Sequence, residues 1–366
     1  MMPSKWRLKW LPILLLAMGV LACGPQAAQP NYTPTSNSSA PASPLQTTTP
    51  GKTELILGAY SAPRDAYKKI IPLFVKYWKD KTGQDVAVQE SYQGSGAQSR
   101  AIVGGFEADV AALALESDIT RIKDAGLITS DWKAAPHGGI VSNSIAVIAV
   151  RKGNPKGIKD WNDLTQPGLE VLTPDSKVSG GAQWNIMAIW GAAQRGGVSG
   201  IAKGDDTAAG NLVKAVLKNV TVLDKDARTS ITNYEKGIGD AAITYESEAI
   251  VGQQSGADDE WVIPHSTILI ELPVAVVDKY ADKHGVRAVA EGFRDFLFTK
   301  EAQEIFAQYG FRSVDPAVAK ATEAQYPPVQ DLFTINDVGG WPTVTKKFFG
   351  DSGLYNQWIE EVQKGK

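Results

Sequence analysis

Cysteine and histidine are scarce in this chain, which has one cysteine and three histidines among 366 residues. A single cysteine cannot support a disulfide framework within the chain. His137, His265 and His284 do not stand at metal-ligand spacing to one another or to Cys23. Structural zinc sites need several such ligands at characteristic spacings, so neither disulfides nor bound metal is expected.

A strong charge of one sign is also missing, because the formal net charge is −3. The chain has no basic, arginine-rich stretch of the kind that binds nucleic acid. Removing residues 1–22, which carry Lys5, Arg7 and Lys9 and no acidic residue, would leave −6. A protein of this charge that binds an anion must do so with locally aimed donors, not with a general positive field.

Long hydrophobic runs are absent as well. The apolar run from Leu11 to Ala22 is shorter than the ~20 residues that a membrane-spanning helix needs. It follows a basic start, which predicts a signal peptide over 1–22. The stop before Cys23 resembles a bacterial lipoprotein signal, in which the cysteine is lipidated; the alternative is an ordinary cleaved signal with an incidental cysteine. We expect an exported protein, periplasmic or extracytoplasmic, that is tethered to the membrane through Cys23.

The segment after Cys23 is composed almost entirely of Pro, Thr, Ser, Ala, Gln and Asn. Such a composition cannot bury enough apolar surface to offset the entropy lost on ordering. The sequence therefore predicts a disordered linker over 23–52, between the lipid anchor and the folded body.

The body begins near Thr53 and is roughly 310 residues long, a length that suits two lobes. Short apolar runs alternate with helical patterns, such as the helix predicted from Arg64 to Thr82. This alternation favours an α/β architecture with parallel strands. Strands are predicted at 55–57, 86–88, 109–115, 145–150, 171–172, 220–223, 241–244 and 274–277.

Two Ser-Gly turns carry the most information about function. Gln93-Gly94-Ser95-Gly96 and Val178-Ser179-Gly180-Gly181 each follow a predicted strand and open a predicted helix. Helix N-termini offer unpaired N–H groups and a partial positive charge, so they bind anions readily. In open α/β sheets such turns lie at the ligand-binding edge. Two of them in one chain favour anion binding over simple helix capping.

The two turns give little support to nucleotide binding or to catalysis by a serine nucleophile. The pattern G-x-x-x-x-G-K-[ST] of nucleotide-binding loops is absent, and neither turn matches the G-x-S-x-G of a nucleophile elbow. An exported serine hydrolase stays a remote alternative, because no candidate base accompanies either serine.

Several stretches of the chain carry a family resemblance. They include Ser91 to Gln98, Gly105 to Leu115, Arg151 to Lys156, Asp160 to Leu164, Ser179 to Asn185, Gly237 to Asp240 and Tyr309 to Arg312. With these stretches the chain resembles the prokaryotic sulfate-binding proteins of ATP-driven sulfate importers over nearly all of its length from Thr53. Thiosulfate-binding proteins are close relatives of that family.

The resemblance implies an α/β, two-lobed periplasmic-binding-protein-like fold of type II, in which each lobe is a sheet flanked by helices. The ligand would lie in the cleft between lobe 1 (53–141 and 279–366) and lobe 2 (142–278). It further implies a monomer without a cofactor or enzymatic activity that delivers sulfate to a membrane permease of an ABC importer.

The same resemblance implies which residues bind sulfate. They are Ser61, Ser95, Ser179, Gly180, Gly181, Ala227 and Tyr245. Ser61 and Tyr245 depart from the best-known enterobacterial pattern, which has aspartate and tryptophan there. Each replacement can still donate a hydrogen bond.

Sulfate has no proton at neutral pH, so its oxygens only accept hydrogen bonds, and a set of neutral donors satisfies it. Phosphate keeps a proton and needs an acceptor, for which Asp226 is the nearest candidate. Arg228 is either a cationic ligand or a residue that braces the loop; the sequence favours bracing.

Overall fold

The strands lie in a single sheet. The computed structural model describes residues 52–364. In that range the strands are β1 (Thr53–Tyr60), β2 (Val86–Gln93), β3 (Val110–Ala112), β4 (Ile140–Val150), β5 (Val171–Pro174), β6 (Val220–Asp224), β7 (Ala241–Tyr245), β8 (Glu260–Val262), β9 (Ser266–Val276) and β10 (Asp331–Phe333). Their order is β2-β1-β3-β9-β4-β7-β5-β6, with β10 paired to β9 and β8 to β4.

Helices follow most of these strands. They are α1 (Arg64–Thr82), α2 (Ser95–Val103), α3 (Glu116–Asp124), α4 (Gly180–Gln194), α5 (Asp206–Asn219), α6 (Ala227–Glu235), α7 (Glu246–Gln254), α8 (Asp278–Lys283), α9 (Arg287–Phe296), α10 (Lys300–Gln308), α11 (Pro316–Thr322), α12 (Gly340–Val344) and α13 (Leu354–Lys364).

The sheet has two halves joined by two long strands. In one half β1 runs parallel to β2 and β3, and in the other β5 runs parallel to β6 and β7. The long strands β4 and β9 pair antiparallel with each other, and β9 also pairs with β3 while β4 pairs with β7. The predicted two-lobed α/β fold is confirmed. We call β1–β3 with α1–α3 the first lobe, and β4–β7 with α4–α7 the second.

The bounds of α1 agree with the prediction, and a local signal defines its C-terminal end. Its buried face carries Tyr67, Ile70, Phe74 and Trp78 at helical spacing. The helix ends at Thr82, since Gly83 adopts a φ of 75° and its N–H bonds to the carbonyl of Lys79 at 2.8 Å. Glycine reaches this left-handed conformation without the steric cost of a side chain.

All the predicted strands differ in length from those in the structure, and all but one are longer there. The strand predicted at 109–115 is paired only over Val110–Ala112. The strands predicted at 145–150 and 274–277 are parts of β4 and β9, which have eleven residues each. In the first half of β4, Ser142, Asn143 and Ser144 interrupt the apolar pattern from which the strand was predicted.

The end of the chain packs on the second lobe. The rings of Trp190 in α4 and Phe348 meet edge to face, with centroids 4.7 Å apart. Glu361 of α13 pairs with Lys214 of α5 at 2.9 Å. The sequence assigned the whole of 279–366 to lobe 1, and these contacts favour the second lobe for residues 340–364. The apolar face of α13 is buried by packing against α5.

The predicted signal peptide, Cys23 and all but the last residue of the predicted linker lie outside the described residues. Between residues 52 and 364, no helix combines the length and apolar character that crossing a bilayer requires.

Candidate functional site

Four helices begin beside one another at the ends of strands: α2 after β2, α4 after β5, α6 after β6 and α7 after β7. A Cβ atom placed on Gly181 would lie 3.0 Å from Oη of Tyr245 and 3.3 Å from Cβ of Ala227. One placed on Gly180 would lie 3.1 Å from Cβ of Ser95. The structure thus brings these five predicted residues together. The first turns of the helices leave N–H groups without intrahelical partners and carry the positive ends of the helix dipoles.

Ser95 opens α2, but its hydroxyl is already engaged. Oγ lies 2.6 Å from Oδ2 of Asp118 and accepts a hydrogen bond from the N–H of Ala114 at 2.9 Å. Asp118 is paired in turn with Arg121 at 2.5 Å. A serine hydroxyl has one proton, and here the carboxylate accepts it. The donor that Ser95 can offer a ligand is therefore its backbone N–H, because its hydroxyl proton goes to Asp118.

The second Ser-Gly turn opens α4. Ser179 occupies the N-cap position with extended backbone, is buried, and does not use its hydroxyl to cap its own helix. Gly180 and Gly181 are the first two helical residues. This turn therefore offers a hydroxyl and two first-turn N–H groups, which are suitable donors for an oxyanion.

Ala227 is the first residue of α6, and its neighbours stabilise that helix start. Asp226 is the N-cap, and its Oδ1 accepts a hydrogen bond from the N–H of Thr229 at 2.8 Å. Oδ1 of the carboxylate thus caps the helix. Arg228 donates to the carbonyl of Ala62 at 3.0 Å and to Asp65 at 2.9 Å, both in the first lobe. These contacts agree with the bracing role expected of Arg228.

Tyr245 contributes a buried hydroxyl. Its side chain is 2% exposed, and within residues 52–364 its Oη has no hydrogen-bond partner. Burial raises the pKa of this phenol well above its usual value, so the group stays protonated and can donate. The ring of Tyr60 meets it edge to face at 6.3 Å, and Oη of Tyr60 is also unpartnered among the described residues. Sequence reasoning did not find Tyr60.

Ser61 is the predicted residue with the least direct link to the others. It is buried, follows the last residue of β1 and precedes α1, where its carbonyl lies 3.4 Å from the N–H of Arg64. Its two neighbours carry the contacts to the second lobe: Tyr60 touches Tyr245, and the carbonyl of Ala62 accepts from Arg228. Ser61 therefore lies between two contacts that cross the cleft.

A buried carboxylate lies beside these donors. Glu248, in the first turn of α7, is 2% exposed, and its Oε2 is 2.8 Å from Nε of Arg228. Burial raises the pKa of Glu248 to about 7, although Arg228 opposes that shift. The next charged pair along this helix is Glu246 with Arg312, at 2.7 and 2.9 Å. Two arginines thus neutralise the two acidic groups at the start of α7.

The donor set indicates the class of ligand. Backbone N–H groups, a serine hydroxyl and a phenol all donate, and a metal cation needs the opposite kind of group. Over the described range, His, Cys, Asp and Glu side chains do not gather in threes around a point that could hold a metal. What the arrangement can do is bind an anion that only accepts hydrogen bonds.

Substitutions of Asp226 test whether this residue caps α6 or contacts the ligand. We expect Asp226→Asn to leave the unfolding free energy and the sulfate affinity nearly unchanged, because asparagine caps a helix about as well as aspartate. Asp226→Ala should lower the unfolding free energy by about 1 kcal/mol. Chemical denaturation and isothermal titration check both. Phosphate binding that depends on Asp226, in a protein that does not bind sulfate, would contradict the capping role.

Comparisons with known proteins identify the family. The family model for bacterial extracellular solute-binding proteins matches residues 55–312. A sulfate-binding protein of Synechococcus elongatus is 46% identical over 316 residues, which are 85% of this chain and 87% of that protein. A thiosulfate-binding protein of Pseudomonas aeruginosa is 35% identical over 305 residues, covering 82% and 90% of the two chains.

Among solved structures, the sulfate-binding protein SubI of Mycobacterium tuberculosis H37Rv superposes with a TM-score of 0.74 at 36% identity. The match covers 81% of this chain and 99% of that one. The family model spans most of the chain, and the relatives match over more than four fifths of it. The chain therefore belongs to the bacterial extracellular solute-binding proteins.

Proposed function

We propose that this protein captures sulfate outside the cytoplasm and delivers it to the membrane permease of an ATP-driven importer. The observation that carries the proposal is the convergence of four helix N-termini on a buried cleft lined by neutral donors. The proposed donors are Ser61, the backbone N–H of Ser95, Ser179, Gly180, Gly181, Ala227 and Tyr245.

A dehydrated dianion needs many donors, because it leaves strong hydrogen bonds with water behind. Hydrogen bonds to a charged acceptor are roughly twice as strong as those between neutral groups. The partial charges at the starts of α2, α4, α6 and α7 add attraction without a formal positive charge at the ligand. This design suits a chain of net negative charge.

Phosphate is a less suitable ligand for the same cleft. It keeps a proton at neutral pH and needs an acceptor, and a site that leaves a designed polar contact unmatched rejects its ligand strongly. Asp226, the acceptor that the sequence suggested, caps α6 through Oδ1, and the buried Glu248 is paired with Arg228. The other groups beside the cleft are neutral donors, which favour the fully deprotonated anion.

Thiosulfate is the alternative with a specific observation behind it, since a thiosulfate-binding protein is among the relatives at 35% identity. The relative named for sulfate is closer, at 46%. Sulfur is a weaker hydrogen-bond acceptor than oxygen. A cleft lined by N–H and O–H donors should therefore bind sulfate more tightly than thiosulfate.

Capture and release follow from closure of the lobes. Nε1 of Trp184 in the second lobe donates to the carbonyl of Ala114 in the first at 2.8 Å. An anion that both lobes contact favours the closed arrangement through its differential affinity for that state. The permease would then recognise the closed protein.

Catalysis is not part of the proposal. The relatives are solute-binding proteins. Each histidine contacts residues outside the cleft: His284 pairs with Glu107 and Asp109, His265 with Gln330, and the ring of His137 stacks on Phe298. Ser95 and Ser179 thus have no imidazole base beside them. Export, tethering through lipidated Cys23 and a monomeric state complete the proposal.

A panel of anions tests the function. We expect sulfate to raise the melting temperature most, thiosulfate less, and phosphate, molybdate or an ester substrate little. At sulfate 1,000-fold above its Kd the stabilisation should be about 4 kcal/mol. Isothermal titration then ranks the affinities. Thiosulfate binding more tightly than sulfate would favour the alternative, and no response to either anion would refute the proposal.

A further inference from the structure

Gly94 lies where three backbone segments meet. A Cβ atom placed on it would be 2.5 Å from the carbonyl oxygen of Val178, 2.7 Å from that of Lys225 and 3.1 Å from the carbonyl carbon of Val178. Gly94 belongs to the first lobe, and both of these neighbours belong to the second. The three nearest contacts of a side chain would therefore all be contacts between the lobes, with backbone atoms that cannot rotate away.

The local conformation of Gly94 does not require glycine. Its φ of −60° and ψ of 139° are ordinary extended values that any residue adopts. A methyl group would therefore be tolerated within the first lobe by itself. The missing side chain has its effect only when the two lobes approach each other.

The segments that meet at Gly94 are those that present the proposed ligand donors. Gly94 directly precedes Ser95, Val178 directly precedes Ser179, and Lys225 lies two residues before Ala227. Close by, the N–H of Ala97 donates to the carbonyl of Val178 at 3.1 Å. The distance between these backbones thus determines how closely the starts of α2, α4 and α6 surround one small anion.

We infer that Gly94 is a positioning residue for closure: its bare Cα lets the lobes approach until donors of both reach the same anion. The inference rests on the proposed function and deepens it. Gly94 does not contact the anion through a side chain. It acts through Ser95 on one side and through the Ser179 and Ala227 turns on the other.

The size of the effect follows from hydrogen-bond geometry. A Cβ must lie more than 3.0 Å from other heavy atoms, so an alanine here would displace the facing carbonyls by several tenths of an ångström. Hydrogen bonds weaken quickly beyond about 3.2 Å, and misplacement of about 1 Å costs about 100-fold in the rate of catalytic sites. For a displacement of several tenths of an ångström, we expect Gly94→Ala to weaken sulfate binding by about 10- to 100-fold.

Two glycine variants serve as controls. A Cβ on Gly96 would be 3.3 Å from the same Val178 oxygen, so Gly96→Ala should weaken binding less. Gly350 has a similar extended backbone, φ −68° and ψ 172°, and its nearest contact would be 3.5 Å. Gly350→Ala should therefore leave sulfate binding unchanged.

The experiment compares the four proteins by isothermal titration with sulfate, by thermal unfolding without ligand, and by small-angle X-ray scattering with and without sulfate. We expect Gly94→Ala to keep the ligand-free melting temperature of the wild type while losing both affinity and the sulfate-induced decrease in radius of gyration. Stopped-flow kinetics should attribute most of the loss to faster dissociation.

The outcomes separate this inference from the proposed function. If the wild-type protein does not bind sulfate in the titration, the proposed function itself is refuted. A wild type that binds sulfate while Gly94→Ala binds it equally well overturns the inference and leaves the function intact. A Gly94→Ala protein whose ligand-free melting temperature falls by several degrees also overturns it, because Gly94 would then be a residue required for folding.

Discussion

Tyr245→Phe should weaken sulfate binding without destabilising the ligand-free protein. The phenolic oxygen of Tyr245 is buried and unpartnered within residues 52–364, next to the first turn of α4. Hydrogen bonds to charged groups contribute about 1.5–3 kcal/mol, so we expect a loss of roughly 10- to 150-fold in affinity. Removing an unsatisfied buried hydroxyl should leave the unfolding free energy equal or slightly higher. Isothermal titration and chemical denaturation measure the two quantities.

Tyr234 provides the matched control for this change. Its hydroxyl is also buried and unpartnered in the described part of the chain, but its ring lies under the guanidinium of Arg151, 3.8 Å from the ring centre, away from the cleft. Tyr234→Phe should leave sulfate affinity unchanged. Equal binding by wild type, Tyr234→Phe and Tyr245→Phe would remove Tyr245 from the donor set.

Much of the fold was predictable because its signals are local. The bounds of α1 follow from the spacing of its apolar residues and from Gly83. The Ser-Gly turns open α2 and α4 as expected, since each follows a strand and glycine permits close approach of a ligand. Residues 340–364 were harder to assign. Their packing on α4 and α5 joins positions more than 130 residues apart, for which the sequence offers no local pattern.

The candidate site was predictable in its members but not in their roles. The resemblance names Ser95, yet Asp118 is 23 residues away and takes the proton of its hydroxyl. Glu248 was not identified, because a glutamate near a helix start normally lies in solvent, where it favours the helix dipole. Its burial depends on Arg228 and Asp65, which come from two other helices. Such relations arise only in the tertiary structure.

Arg228→Met should lower the unfolding free energy by about 2–3 kcal/mol at pH 8, because it leaves the buried carboxylate of Glu248 without its partner, and protonation of that carboxyl limits the loss. It also removes the contacts to Asp65 and Ala62, so sulfate should dissociate faster. The double variant with Glu248→Gln should recover most of the stability, since it carries no buried charge. Lys76→Met breaks an exposed pair with Asp80 and should change little.

Titration of the Glu248 carboxyl makes the stability of the fold depend on pH, and the sign of that dependence can be stated. Besides Arg228, the groups that act on Glu248 are Glu235, Asp65 and the phenols of Tyr60 and Tyr245. Its pKa is about 7 in the folded protein against an ordinary 4.5, so the folded state holds the proton more tightly than the unfolded state does. This carboxyl therefore makes folding less favourable as pH rises from about 4.5 to 7, by about 3 kcal/mol in total.

Glu248→Gln removes that titration. We therefore compare the unfolding free energies of the wild type and Glu248→Gln at each pH. The wild-type value minus the variant value should fall between pH 5 and 8 and then level off. In Arg228→Met the same fall should continue above pH 8, because without the guanidinium the carboxyl holds its proton to a higher pH. Urea denaturation at half-unit pH steps measures all four proteins. A wild-type difference that stays flat from pH 5 to 8 would mean that Glu248 titrates at its ordinary pKa. Arg228 would then offset the whole cost of burying this carboxylate, and the fall with pH should appear only in Arg228→Met.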